Sequence, residues 1–165
     1  MTTGLMTKVR TRHINLMDKT CATIGNILQT ISQEQAMTWR DPKDGDKGWT
    51  VLEVLGHLAD YDGFFYLRAA MILEQVYPQL PAYDHEALAI EHAYNEQDMT
   101  VVYARLVESR QRFIEFFQNL SDEQWNRAGV HPEKGHFTLT DAVMQVGSHD
   151  ITHLEQITRI MAAHR

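Results

Sequence analysis

Two histidines on one face of a predicted helix are the residues of this sequence best placed to do chemistry. His149 and His153 are four residues apart, a spacing that puts both imidazoles on the same side of a helix, one turn above the other. The other inward positions of this predicted helix are apolar, as at Ala142, Val146 and Ile157. Two imidazoles in this arrangement can chelate one metal ion.

A third histidine, His57, interrupts the apolar pattern of another predicted helix, one turn from Tyr61 and one turn from Glu53. A lone histidine on an apolar face is usually a packed residue with both nitrogens hydrogen-bonded, and a histidine pair alone is a weak signal. Three inward histidines are harder to explain in this way, because each buried imidazole needs partners for both nitrogens. The sequence therefore predicts one divalent ion held by His57, His149 and His153.

An ion bound by three neutral imidazoles keeps its full charge and lowers the pKa of a bound water or thiol. Imidazole ligands suit Zn, Ni, Cu, Fe and Co, so the sequence does not identify the metal. The pair lacks the intervening glutamate of the HExxH motif, which argues against a metalloprotease. Free histidine titrates near about pH 6.5, so release of the ion is expected below about pH 6.

Acidic residues close to the three histidines are candidates for orienting a ligand imidazole, with helix surface charge as the alternative. They are Asp60, Asp150 and Glu155. Cys21 lies on an apolar stripe and is expected to be a core residue, and no general base is identified. His131 and His136 lie in a loop, where they are expected to be solvated or at the rim of a pocket. Four other histidines are expected at the surface: His13, His85, His92 and His164.

The elements that must position these residues are helices, because apolar residues recur at spacings of three and four. Thr50 with Glu53, and Thr138 with Asp141, have the pattern of capping boxes at helix starts. The connection between the second and third helices is long, and residues 84–94 can hold a short helix. Four long helices are predicted over about 12–36, 50–76, 98–120 and 138 to the end. With no convincing strand, the fold class is all-α, a four-helix bundle.

Length and charge narrow the class of protein further. The chain has 165 residues, the usual size of one domain, so residues 1–165 are expected to form a single domain. It carries 22 acidic against 15 basic residues, which argues against a nucleic-acid partner. The single cysteine excludes an internal disulfide, and no apolar run is long enough to span a membrane. We expect a cytoplasmic protein with no membrane segment and a small-molecule substrate.

Several stretches of the sequence resemble the DinB-like (damage-inducible) family. They are residues 49–60 around His57, residues 94–98, residues 135–139, and residues 149–157 with the histidine pair. The resemblance extends from about Ile14 to Met161 and is specific in the order and spacing of the three histidines. This family shares its fold with the YfiT proteins and the mycothiol-dependent maleylpyruvate isomerases.

The resemblance implies an up-down-down-up bundle with a long crossover between the second and third helices, commonly a homodimer, with a divalent metal on His57, His149 and His153. Characterised relatives are thiol-dependent transferases or isomerases that use mycothiol, bacillithiol or glutathione. The leading hypothesis is therefore a thiol-dependent S-transferase acting on a small electrophile. The alternatives are a metal-dependent hydrolase and a non-catalytic metal-binding or stress-response protein.

Overall fold

Four long helices and a short hairpin dominate the structure, a computed structural model that describes residues 2–164 and the side chains of residues 4–164. Each long helix buries one apolar stripe against the others. The elements in chain order are helices α1 (Thr2–Leu28), α2 (Gln33–Thr38), α3 (Val51–Glu74), α4 (His85–Glu91) and α5 (Met99–Gln118), strands β1 (Ala128–His131) and β2 (Gly135–Thr138), helix α6 (Leu139–Ala163), and 3-10 turns at Pro42–Lys47, Tyr94–Glu96 and Gln124–Asn126.

Side-chain caps set the starts of the two helices that carry the histidines. At α3 the Thr50 hydroxyl accepts from the Glu53 amide at 3.1 Å, and the Glu53 carboxylate accepts from the Thr50 amide at 2.7 Å. Thr138 and Asp141 make the same reciprocal pair at the start of α6. Both predicted starts are confirmed, and the two caps fix where along each helix the histidines lie.

The first helix differs from the prediction at both ends. The apolar spacing predicts a helix over about 12–36, whereas α1 spans Thr2–Leu28. Residues 4–8 near its start are exposed, so this part of the helix has no apolar stripe to signal it. After α1 the Ser32 hydroxyl accepts from the Gln35 amide and the Gln35 side chain caps Ser32 in return. This capping box begins α2, a separate helix, inside the predicted range.

Contacts between side chains give the directions of the helices. Asp60 of α3 pairs with Arg105 of α5, and further along both helices the Arg112 guanidinium lies over the Tyr66 ring. Residue numbers rise together in these contacts, so α3 and α5 run parallel. The crossover that joins them, residues 75–98, returns the chain to the starting end of the bundle and contains α4, the short helix predicted within 84–94.

Helices α1 and α6 are the other parallel pair. Arg10 donates to the Thr140 hydroxyl at 3.0 Å, and further along both helices Thr20 donates to Asp150. In the contacts of α6 with α3 and of α1 with α5, residue numbers rise in one helix as they fall in the other, so both pairs are antiparallel. Helices α1 and α3 lie diagonally across the bundle. The predicted up-down-down-up topology is confirmed. Within residues 2–164, no helix is both long and apolar enough to cross a bilayer.

The prediction of no strand is wrong for the segment that precedes α6. Strands β1 and β2 pair antiparallel from Ala128 opposite Thr138 to His131 opposite Gly135. Each strand has four residues, too few to produce a recognisable alternation of apolar and polar residues. The Leu80 amide donates to the Val130 carbonyl at 2.9 Å, so the hairpin holds the crossover against the bundle.

A polar layer separates two apolar clusters in the bundle core. Arg110 of α5, 2% exposed, donates to Asp62 of α3 at 2.7 Å, to Asp150 of α6 at 2.6 Å and to the Met17 carbonyl of α1 at 2.6 Å. One guanidinium thus joins the other three long helices. The apolar clusters on the two sides contain, among others, Ile24, Leu55 and Ile157 on one side and Phe65, Phe113 and Val146 on the other.

Candidate metal centre

The three predicted histidines come together at the level of this polar layer. One nitrogen from each of His57, His149 and His153 lies within 4.8 Å of the other two, and the Nε2 atoms of His57 and His149 are 2.9 Å apart. His57 comes from α3 and the other two from the antiparallel α6, one turn apart. His57 is buried, with 4% of its surface exposed, and the other two are half-buried.

Aromatic rings enclose the three imidazoles. The Tyr61 ring lies 4.1 Å from the His57 ring and is stacked 5.5 Å from the His149 ring. The Trp49 ring meets His57 edge-on at 5.2 Å, and Phe65 meets His149 edge-on at 5.1 Å. These contacts restrict the orientations of the imidazoles and exclude water from one side of them.

Hydrogen bonding leaves imidazole nitrogens available to a ligand. The Nδ1 atom of His153 is 2.9 Å from Oε1 of Gln156. Because an amide oxygen only accepts, Nδ1 carries the proton and Nε2 is left with a free lone pair. The Nδ1 atom of His57 is buried without a hydrogen-bond partner among the described residues.

All three imidazoles are held neutral. Burial, aided by the nearby His153 and His85, lowers the pKa of His57 to about 3. Burial also lowers the pKa of His149 well below its usual value, and that of His153. A neutral imidazole carries its proton on one ring nitrogen and a lone pair on the other, and metal binding requires that lone pair.

The arrangement fits a divalent ion. Two nitrogens bound to one tetrahedral zinc at about 2.0–2.1 Å lie about 3.3 Å apart, close to the 2.9 Å between the Nε2 atoms of His57 and His149. The two Nε2 atoms can share one hydrogen bond, in which one ring donates and the other accepts, whereas a cation between them would use a lone pair from each ring. The donor set is nitrogen only, which suits zinc and the later transition metals.

The centre opens into a cavity of about 770 Å³, within the range of small-molecule sites. Its walls come from α3, α6, the crossover, the hairpin and the turn before α3. Residues that line it include the three histidines, three other aromatic residues near them and a set of charged or polar side chains: Trp49, Tyr61, Phe65, Lys47, Arg68, His85, His131, Glu133, Gln145 and Gln156.

The acidic residues expected to orient the imidazoles have other partners. Asp150 binds Arg110 and Thr20, Asp60 binds Arg105 and the Tyr94 hydroxyl, and Glu155 pairs with Arg159. Among the described side chains, the residue that orients one of the three candidate ligands is Gln156, one turn after His153. Its position three residues along the helix from His153 is a signal that the sequence contains.

Two further histidines line the cavity: His131, expected to be solvated or at the rim of a pocket, and His85, expected at the surface. His131 is 3% exposed and lies 3.1 Å from the Arg68 guanidinium, because β1 turns it inward. His85 is exposed, as expected, but its ring is 5.9 Å from Trp49 and 6.2 Å from His57. Both depend on how the loops fold over the bundle, for which helical periodicity gives no signal. Burial raises the pKa of the Cys21 thiol to about 11, in keeping with its place in the core.

Comparison with known proteins identifies the group to which this architecture is similar. The family model described as the DinB superfamily matches residues 16–157. YfiT of Bacillus subtilis, named as a candidate metal-dependent hydrolase, is 31% identical over 120 residues, which are 70% of this chain and 67% of that protein. A relative from Oceanobacillus iheyensis with the same description is 24% identical over 136 residues, 81% of this chain and 75% of the relative.

A solved structure gives the same result. The structure of Bacillus subtilis YfiT, described as a probable metal-dependent hydrolase with an unusual four-helix bundle topology, superposes with a TM-score of 0.83 at 26% identity. The match covers 93% of this chain and 86% of that one.

Proposed function

Because the chain belongs to the DinB superfamily, whose model matches residues 16–157, we propose that it is a metal-dependent hydrolase of small molecules with a divalent ion on His57, His149 and His153. The observation that carries this proposal is the meeting of three neutral imidazole nitrogens within 4.8 Å at the wall of a cavity of about 770 Å³. Hydrolysis takes precedence over thiol transfer because the relatives are named as candidate metal-dependent hydrolases.

A divalent ion at this place supplies a Lewis acid, which polarises a carbonyl or phosphoryl oxygen and lowers the pKa of water or of a thiol. The protein supplies the rest. Tyr61, Trp49 and Phe65 restrict the imidazoles and give the cavity an apolar wall for a substrate. Gln156 holds the proton of His153 on Nδ1, so that Nε2 faces the centre.

Thiol-dependent transfer is the second candidate. A cavity of about 770 Å³ lies in the upper half of the usual range for small-molecule sites. It has room for a low-molecular-weight thiol together with an electrophile, whereas hydrolysis of one small substrate needs less space. Holding both reactants side by side would remove most of the cost of their encounter.

Elemental analysis of the purified protein tests the metal centre. We expect about one divalent ion per chain in the wild type, and a loss of most of it in His149→Ala and in His153→Ala. His164→Ala is the matched control, because this histidine lies against Trp39 at the far end of α6 and should leave the metal content unchanged. Equal metal in all of these variants would refute the ligand assignment.

Activity assays separate the candidate functions. The metal-loaded protein should hydrolyse at least one member of a panel of small esters, amides and phosphoesters, and the metal-free protein and His57→Ala should not. A metal-dependent rate seen only with glutathione, bacillithiol or mycothiol plus an electrophile would establish the transferase instead. Metal binding without activity in either panel would leave a binding or stress-response role.

A further inference from the structure

A buried cation in the cavity wall lacks an acidic partner. Arg68 of α3 is 6% exposed, and among the described residues no carboxylate lies within 4.0 Å of its guanidinium. The acidic residues that line the same cavity, Asp44, Glu86 and Glu133, are exposed at its rim. Burying a charge without a counter-charge is costly, so an anion at this place would relieve that cost.

The guanidinium of Arg68 is held in a fixed orientation. Its Nε and Nη2 atoms donate to the Pro81 carbonyl at 3.0 and 2.6 Å, and its Cζ atom lies 5.1 Å from the centre of the Tyr83 ring. Nη1 is 3.1 Å from Nε2 of His131. A guanidinium carries more N–H donors than these contacts use, so the group is positioned with donors to spare.

Two N–H groups face the ring nitrogens of His131, and one of them is left without an acceptor. The Glu133 amide donates to Nδ1 of His131 at 3.2 Å, and Nη1 of Arg68, which can only donate, faces Nε2. A neutral imidazole accepts at one nitrogen and carries its proton on the other. Only one of the two contacts can therefore be a hydrogen bond. If the Glu133 amide donates to Nδ1, the proton of His131 is on Nε2. The Nε2–H group of His131 and the Nη1–H group of Arg68 are then two donors beside each other.

Arg68 lies on the same face of α3 as the metal centre. His57, Tyr61, Phe65 and Arg68 follow one another at spacings of four, four and three, and all four line the cavity. The rise of a helix places the Cα atoms of His57 and Arg68 about 16 Å apart. The wall between them is formed by the Tyr61 and Phe65 rings, which suit an apolar segment.

We propose that Arg68 and His131 form a carboxylate-binding subsite, so that this site takes elongated small molecules with a carboxylate at one end and an apolar middle. A planar guanidinium held by its other contacts matches the two oxygens of a carboxylate. The inference that the other end of the bound molecule reacts at the metal centre rests on the proposed function. Binding of the carboxylate by Arg68 and His131 does not require the metal.

Calorimetric titration of the full-length protein with hexanoate tests the subsite, with hexanamide as the uncharged isostere. It is done on the protein as purified and again after metal removal by a chelator. Hexanoate should bind at least about tenfold more tightly than hexanamide in both states. Arg68→Met should remove that preference, Arg68→Lys should retain part of it, and His149→Ala should retain it in full.

Arg112→Met is the matched control, because Arg112 also lies over a tyrosine ring, 5.0 Å from Tyr66, but is exposed and outside this cavity. Circular dichroism checks that each variant folds; if Arg68→Met does not, His131→Leu, which is expected to weaken hexanoate several-fold, takes its place. Equal affinity of the wild type for hexanoate and hexanamide, or an unchanged preference in the folded Arg68 or His131 variants, overturns the subsite.

The two proposals can fail separately. Hexanoate binding that depends on Arg68 in a protein without metal or hydrolytic activity would keep the subsite and refute the hydrolase. The opposite result is metal-dependent hydrolysis in which Arg68→Met leaves KM unchanged for esters that carry a distal carboxylate. It would keep the hydrolase and refute the subsite. If both hold, Arg68→Met raises KM for those esters and leaves KM for their uncharged analogues unchanged.

Discussion

Burial sets the proton equilibria of the three imidazoles. The pKa of His57 is about 3 in the folded, metal-free protein, and those of His149 and His153 are also lowered, whereas an unfolded histidine titrates near about 6.5. Between these values the unfolded chain binds protons that the folded protein does not. Lowering the pH therefore lowers the free energy of unfolding of the metal-free protein.

The metal-free protein should lose stability as the pH falls below about 6.5. Each histidine held neutral contributes up to about 1.4 kcal/mol per pH unit to the fall in the free energy of unfolding. Urea denaturation at several pH values between about 7 and 5 measures the slope. His57→Phe removes one of the three groups and should give a smaller slope; an identical slope would contradict the assignment of His57.

The same shift changes the expectation for metal release. The pKa of a free imidazole predicts that the ion is released below about pH 6. Because the pKa values of the buried histidines are lower, the folded protein should keep its ion to a lower pH, until it unfolds. Metal content and circular dichroism measured on the same samples decide this. Loss of the ion near pH 6 with an unchanged spectrum would show that the imidazoles titrate as exposed groups.

Gln156 controls the tautomer of His153 through the contact between its Oε1 and Nδ1, 2.9 Å apart. Replacing it with leucine leaves Nδ1 without this acceptor, and loss of such a contact typically lowers metal affinity about 10- to 100-fold. Competition with a chromogenic chelator measures the change. Gln111→Leu, at an exposed position of α5, should have no effect, and equal affinity of the two variants would remove Gln156 from the site.

At the scale of elements, two glycines of α3 have opposite surroundings. A Cβ atom at Gly56 would lie 2.6 Å from the buried Tyr94 ring, whereas one at Gly63 would have nothing within 4 Å. The Tyr94 hydroxyl donates to Asp60 at 2.7 Å, so this ring has little freedom to move aside. Gly56 thus lets the turn after α4 approach the helix next to His57.

Substitution of these glycines by alanine should change stability in opposite directions. Gly56→Ala is expected to destabilise the protein by about 1–3 kcal/mol through overpacking, and Gly63→Ala to stabilise it by about 0.5–1 kcal/mol through helix propensity. Thermal and urea denaturation measure both changes. Stabilisation by both substitutions would mean that the Tyr94 ring moves away at little cost.

Elements with a strong local signal could be predicted from the sequence. Long apolar stripes and the capping boxes at Thr50 and Thr138 located α3 and α6, and with them the three histidines that interrupt the stripes. The four-residue strands are too short to show an alternation of apolar and polar residues, and the burial of His131 depends on its contact with Arg68, which lies far from it in the chain. Arg68 escaped notice because an arginine on a helix is usually solvated, and here the crossover and the hairpin bury it.

For the whole molecule, the homodimer stays a prediction that rests on the resemblance. The adjacent rings of Phe64 with Phe65 and of Phe116 with Phe117 suggest that one of each pair faces a partner. In the structure, however, Phe64 stacks on Tyr83 at 3.9 Å and Phe116 meets Tyr66 edge-on at 5.5 Å. These rings pack within the chain, so they supply no argument for an interface.

Light scattering at micromolar concentration tests the oligomeric state. A homodimer gives twice the chain mass of 19.1 kDa, and a mass equal to one chain would refute the prediction. Metal removal should not change the result, because the three histidines belong to one chain and lie together within it. A metal-dependent mass would instead indicate an ion shared between chains.

The contacts of Arg110 also determine how far one helix can slide along another. Asp150 follows His149 directly, and Arg110 ties it to Asp62 of α3, one turn after Leu58 and five residues after His57. Apolar ridges alone would tolerate a slip of α6 by one turn, which shifts every side chain by about 5.4 Å. That displacement exceeds the 4.8 Å that encloses the three imidazole nitrogens. The buried ion pairs therefore fix the register of α6 against α3, because any slip that separates the histidines also leaves a charge unpaired in the core.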